Sequence, residues 1–184
     1  MGRVRLDRFC TCWLDSATCI FSLSGYTAIR MKSTPRPNPL ADARTAALAE
    51  VRAVYAELAR RPVERHCTLL TECCQFKVTG LTPYLTKGEA LVAAHGVRAA
   101  GRKQLPERAD GACPLLHPLS GKCMIYGERP FGCRTHFCAA AGGQYARADV
   151  LDLIRRLEKV DAALGGDGPR MLPRAVADAL AGMR

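Results

Sequence analysis

The sequence predicts a mainly α fold, a small helical domain with two cysteine-bearing loops. Apolar residues recur at three- and four-residue spacings along several segments, the period of a helix face. Aromatics are only 6% of a chain that is 48% apolar. Packing through alanine and aliphatic side chains is therefore expected, rather than a sheet sandwich. The cysteines gather instead in two stretches without sustained periodicity. At 184 residues the chain has room for one domain with a real core and not for two large ones.

The first thirty residues differ in texture from the rest of the chain, and Met31 opens a polar, proline-rich passage, "MKSTPRPNP". Residues 1–38 are read as an extension or disordered segment, with Met31 as a candidate start, and residues 39–184 as a single domain. After Pro39, Leu48, Val51, Tyr55 and Leu58 define one helix face, and Pro62 ends the run. In "LTKGEALVAAHGVRAAG", Thr86 and Glu89 have the spacing of a capping box and Gly101 is a C-terminal stop. A third helix is expected from about Tyr145 to Leu164, burying Val150, Ile154, Leu157, Val160 and Leu164. "GGDGPR" breaks it, and a short closing helix begins near Pro173.

The net charge is +10, from 27 Lys and Arg against 17 Asp and Glu. These cations are scattered, without aromatic interleaving or a recognisable nucleic-acid module, which argues against nucleic-acid binding. No apolar stretch reaches the roughly 18 residues a membrane span needs. The amino terminus begins with basic residues, but Asp15 breaks its apolar run and no clean cleavage site follows. A reducing, cytoplasmic setting is therefore expected, where clustered cysteines read as metal or redox sites.

Of ten cysteines, Cys10, Cys12 and Cys19 are read as bystanders, because two thiols in a C-x-C clip cannot close a site alone. The other seven fall in two groups: Cys67, Cys73 and Cys74, then Cys113, Cys123, Cys133 and Cys138. A buried structural thiol belongs on a helix face in place of an alanine, and these lie on sequence that reads as loop. The vicinal pair Cys73–Cys74 can bridge to itself only through a strained ring, whereas neighbouring thiolates readily ligate a metal. Metal ligation is the reading these seven support. Arg129 and Arg134 are placed to donate N–H groups to the excess charge on sulfur. The proline of "ERP" holds Arg129 extended. Tyr126 is read as packing, and His95 and His117 as ordinary surface or helix-face residues.

The pattern C-x5-CC, then "ACPLL", then "GKCMIYGERPFGCR" resembles the YkgJ family of cysteine-cluster proteins, described as zinc- or iron-chelating. The resemblance runs from Cys67 to Arg134. It is most specific in the second group, where Tyr126, Arg129, Pro130 and Arg134 agree along with the cysteines. In the first group, Cys67, Cys73 and Cys74 take the first, third and fourth family positions, and Leu70 stands at the second. Leucine cannot ligate. Cys138 is expected to restore the lost thiolate, with His66 and His136 as alternative nitrogen ligands.

All-sulfur ligation suits zinc and an iron–sulfur cluster alike, and the spacing separates neither. The reading is a metal-binding protein holding zinc or an iron or iron–sulfur centre, non-catalytic on its own. Its alternative is a redox, electron-transfer or oxidant-sensing iron–sulfur protein. The sequence carries no glycine-rich strand–turn–helix for a methyl donor, no nucleophile elbow, no Walker loop and no paired carboxylates.

Overall fold

The computed structural model describes residues 38–61, 71–136, 138 and 141–183. Of the expected extension at 1–38, residues 1–37 with Cys10, Cys12 and Cys19 lie outside the described residues, as does the segment with His66, Cys67 and Leu70. Among the described residues six helices form: α1 (Pro39–Arg60), α2 (Phe76–Thr79), α3 (Lys87–Ala99), α4 (Phe131–Thr135), α5 (Leu151–Ala163) and α6 (Leu172–Ala181). The mainly α architecture is the one the sequence predicts.

Each long helix starts and stops for a local reason. Asn38 caps α1, its side chain accepting from the Ala41 amide, with Pro39 in the first turn. Arg61 is extended (φ −66, ψ 133), as the residue before a proline must be. At α3 the capping box is complete: Thr86 accepts from the Glu89 amide, and the Glu89 carboxylate accepts from the Thr86 amide. Gly101, just past its end, has φ +76, which only glycine adopts freely.

The third long helix differs from the sequence expectation. Residues 143–146 are not helical, Arg147–Val150 form a 3-10 turn, and α5 begins at Leu151. Its most buried residue is Leu153, while Ile154 and Leu164 are half-buried. Val150, Leu157 and Val160 are buried as expected, and Leu153 takes the place given to Ile154.

α3 is the hub. Val92 packs with Val51, Val54, Tyr55 and Leu58 of α1, Leu153, Leu157 and Val160 of α5, and Phe131 of α4. Its other side, Ala90, Ala93, Ala94 and Val97, meets Leu172, Ala175, Val176 and Leu180 of α6 and, from the cysteine-bearing loop, Cys113, Leu115, Leu116 and Ile125. Alanines on this side bring the loop backbone close to the helix. Two short antiparallel strands, β1 (Tyr84–Leu85) and β2 (Arg170–Met171), pair Tyr84 with Met171 and Leu85 with Arg170. The Leu172 amide donates to the Pro83 carbonyl at 2.8 Å, so the starts of α3 and α6 are tied together. Asp161 of α5, buried, accepts from the Lys87 amide at 2.6 Å and the Gly168 amide at 3.1 Å.

Candidate metal centre

Cys73 and Cys74 end a 3-10 turn, Glu72–Cys74, entered through Thr71. Thr71 has φ +51, a strained conformation for a β-branched residue and one that collects at functional sites. The Cys74 carbonyl accepts from the Cys113 amide at 2.7 Å, which joins the first cysteine group to the second. From there the chain folds back on itself. The Met124 amide donates to Leu115 and the His117 amide to Lys122, both at 2.8 Å, and Leu116 bridges to Cys123. His117 closes the tip, its Nδ1 accepting from the Ser120 amide at 3.2 Å.

Cys133 lies in α4, and its amide donates to Pro130 at 3.0 Å. Cys73, Cys74 and Cys133 thus sit on short helical turns, where the sequence predicts loops. These turns are too short to show a period, so periodicity cannot reveal them.

Cys73, Cys74, Cys113, Cys123 and Cys133 line one cavity of about 250 Å³, walled by Phe76, Leu81, Pro83, Leu115 and Leu172. Arg129 and His136 line it too. Cys138 is half-buried in the chain after α4 and is not among the lining residues; its carbonyl accepts from the Ala141 and Gly143 amides. His136 Nδ1 is 2.8 Å from Gln144 Nε2. Among the described residues no group of three or more Cys, His, Asp or Glu side chains stands as a finished ligand cage.

The surroundings of the sulfurs favour charge on them. The Leu115 amide beside Cys113 and the Ile125 amide beside Cys123, each from two residues downstream, favour thiolate at those sulfurs. Burial of the Leu115 and Ile125 side chains holds those amides inward. The sequence signal for this, an apolar residue two places after a cysteine, is one that ligand spacing alone passes over. The Arg129 charge favours thiolate at Cys73, Cys123 and Cys133. Its Nε is buried without a hydrogen-bond partner, and the guanidinium lies over the Tyr126 ring at 4.3 Å. Arg134 turns elsewhere. It stacks on Tyr55 at 4.2 Å and donates to the carbonyls of Arg129, at 2.7 Å, and Gly127. Its link to the cluster is the charge of Cys133 beside it and the Arg129 backbone it holds.

The thiols are not equivalent. A hydrogen bond from Cys74 and the nearby Arg129 charge bring Cys73 down to about 6, while Cys74, as the donor and half-buried, is pushed up. Burial pushes Cys113 up to about 12 and raises Cys123 and Cys133, and at Cys133 the neighbouring thiolates add to the rise. These thiols keep their protons at neutral pH until something positive displaces them. A soft cation among them is the obvious candidate, and the donor set fits zinc or iron.

The family model CxxCxxCC, described as "Putative zinc- or iron-chelating domain", matches residues 40–151. No curated protein and no solved structure matches the chain significantly. The matched span takes in every cysteine of both groups and more than half of the sequence, and the protein belongs to this zinc- or iron-chelating, cysteine-cluster family.

Proposed function

We propose that the chain binds a zinc or iron centre through Cys73, Cys74, Cys113, Cys123 and Cys133, and that it is non-catalytic on its own. One observation carries this reading: thiols from three separate turns line a single cavity, where backbone amides and the Arg129 charge favour thiolate. Such donors stabilise thiolate and have no use around inert thiols. Zinc would cross-link the three turns, and an iron–sulfur cluster held by four of the cysteines would add electron transfer. The thiols must close on the ion, because they do not stand as a cage beforehand.

Cys67 joins the set on its place in the sequence pattern, three positions before the Leu70 that breaks it. The ligand position Leu70 leaves open has two claimants. Charge favours Cys138, since a thiolate replaces a thiolate; position favours His136, which lines the cavity. Metal content of Cys138→Ser and His136→Ala decides between them.

Anaerobic purification with elemental analysis and a visible spectrum tests the proposal. The expected result is zinc or iron in a fixed ratio to protein, colourless for zinc and brown for an iron–sulfur cluster. A chain that carries neither metal, or keeps its metal after Cys113, Cys123 and Cys133 are all changed to serine, would refute it.

A further inference from the structure

Glu89 is 3% exposed, yet a capping-box glutamate normally sits at a helix end in reach of water. Its Oε2 does the capping, accepting from the Thr86 amide at 3.0 Å and Thr86 Oγ1 at 2.8 Å. Its Oε1 does something else. It accepts from the Phe131 amide at 2.9 Å and lies 3.4 Å from the Tyr55 hydroxyl. Phe131 is the first residue of α4, two residues before Cys133.

A buried carboxylate is costly unless it is well hydrogen-bonded. Glutamine serves a capping box as well as glutamate does, but its amide nitrogen would face a donor on one side or the other. Donors on both oxygens are what require a carboxylate, and the second set comes from α1 and α4. Five residues of helix cannot stand alone, and the first amide of α4 has no partner within its own helix. Glu89 supplies one, while the Phe131 ring is buried against α1 and α5. The start of α4 is therefore fixed at two points, and Arg134 braces the preceding carbonyl of Arg129.

We propose that Glu89 is the positioning residue of this centre: through the Phe131 amide it sets α4 so that Cys133 faces Cys73, Cys113 and Cys123. The proposal rests on the metal-binding reading above for its purpose, but its geometry can be tested without metal.

The test compares the full chain with Glu89→Gln and Thr86→Ala, all reduced and anaerobic. Iodoacetamide labelling of the metal-free chains, mapped by mass spectrometry, reads the exposure of Cys133. Titration with Co2+ alone, followed by thiolate-to-metal absorption, reads the site. Glu89→Gln is expected to keep its helical circular dichroism, to label faster at Cys133 but not at Cys113, and to bind Co2+ about 10–100-fold more weakly. Thr86→Ala is expected to melt earlier with both readings unchanged. A folded Glu89→Gln with wild-type labelling and affinity overturns the proposal, as does a Thr86→Ala chain that reproduces the Glu89→Gln changes. A wild-type chain that takes up no Co2+ counts against the metal reading, while Cys133 labelling still judges Glu89. If Glu89→Gln fails to fold, amide exchange in the wild-type chain decides. A Phe131 amide as protected as the α3 core supports the proposal, and one exchanging at loop rates overturns it.

Discussion

At Cys73 a hydrogen bond from Cys74 and the charge of Arg129 favour the thiolate, whereas burial keeps Cys113 protonated. In the reduced, metal-free chain at neutral pH, iodoacetamide should therefore label Cys73 first, with a rate that inflects near pH 6, where its thiolate forms. Cys113 should stay unlabelled until the solution is strongly alkaline; equal rates at the two would contradict this electrostatic picture. The two arginines should separate as well. Arg129→Met removes an N–H with no protein partner and only a stack on the exposed Tyr126 ring, so metal affinity should fall by about 10–100-fold while the melting temperature of the metal-free chain moves little. Arg134→Met loses backbone bonds and the Tyr55 stack, and its melting temperature should drop. The cysteines and the extended Arg129 are legible in the sequence because spacing and proline announce them. The direction of Arg134 is not, since it depends on Tyr55, nearly eighty residues away on α1. Half of Glu89 is legible: its spacing from Thr86 gives the cap, but nothing local foretells the bond to Phe131.

Helices long enough to show a period are readable from sequence: α1 and α3 begin and end where caps and prolines put them, and α6 begins with Pro173 in its first turn. The start of α5 is not, because the 3-10 turn at Arg147–Val150 carries no helical period of its own. The ladder of β1 and β2 spans two residues each, too few for any alternation. Close approach between elements is also hidden. A Cβ on Gly96 of α3 would come 3.0 Å from Ile125 Cγ2, 3.1 Å from Ile125 Cβ and 3.2 Å from Glu128 Cβ. Gly96→Ala gains about 1 kcal/mol of helix propensity, but overpacking against a buried side chain costs about 1–3 kcal/mol. The net expectation is a lower melting temperature and weaker metal binding, since Ile125 must shift and its amide serves Cys123. A Gly96→Ala chain that is more stable and binds metal normally would show the loop to be loosely packed.

Across the whole molecule, two cores share α3, and they depend on the cysteines differently. Among the described residues the α1–α3–α5 core contains no cysteine, whereas the α3–α6 core takes in Cys113 and the loop around it. Structural zinc contributes about 10–16 kcal/mol of apparent binding free energy, comparable to or above the usual 5–15 kcal/mol, roughly, of a domain's stability. Chelation under reducing conditions should therefore lower the melting temperature sharply and free residues 71–74 and 113–136 while leaving much of the helical signal. An unchanged melting curve would make the cysteines incidental. The pH response comes from the raised thiols. Cys113, Cys123 and Cys133 bind protons more tightly folded than unfolded, so the stability they contribute is complete below the unfolded thiol pKa, about 8.5. It is lost as pH rises toward about 12, the folded value of Cys113. The urea midpoint of the metal-free chain should fall across that window. Metal affinity runs the opposite way near neutrality, rising with pH because each ligating thiol must release its proton.

X-ray absorption at the edge of the bound metal reads whether sulfur holds it. For zinc, the expected spectrum shows a shell of sulfur neighbours at about 2.3 Å, depleted when Cys113, Cys123 and Cys133 are replaced by serine. A shell of nitrogen and oxygen alone, or a sulfur shell that survives those replacements, would contradict ligation by these cysteines.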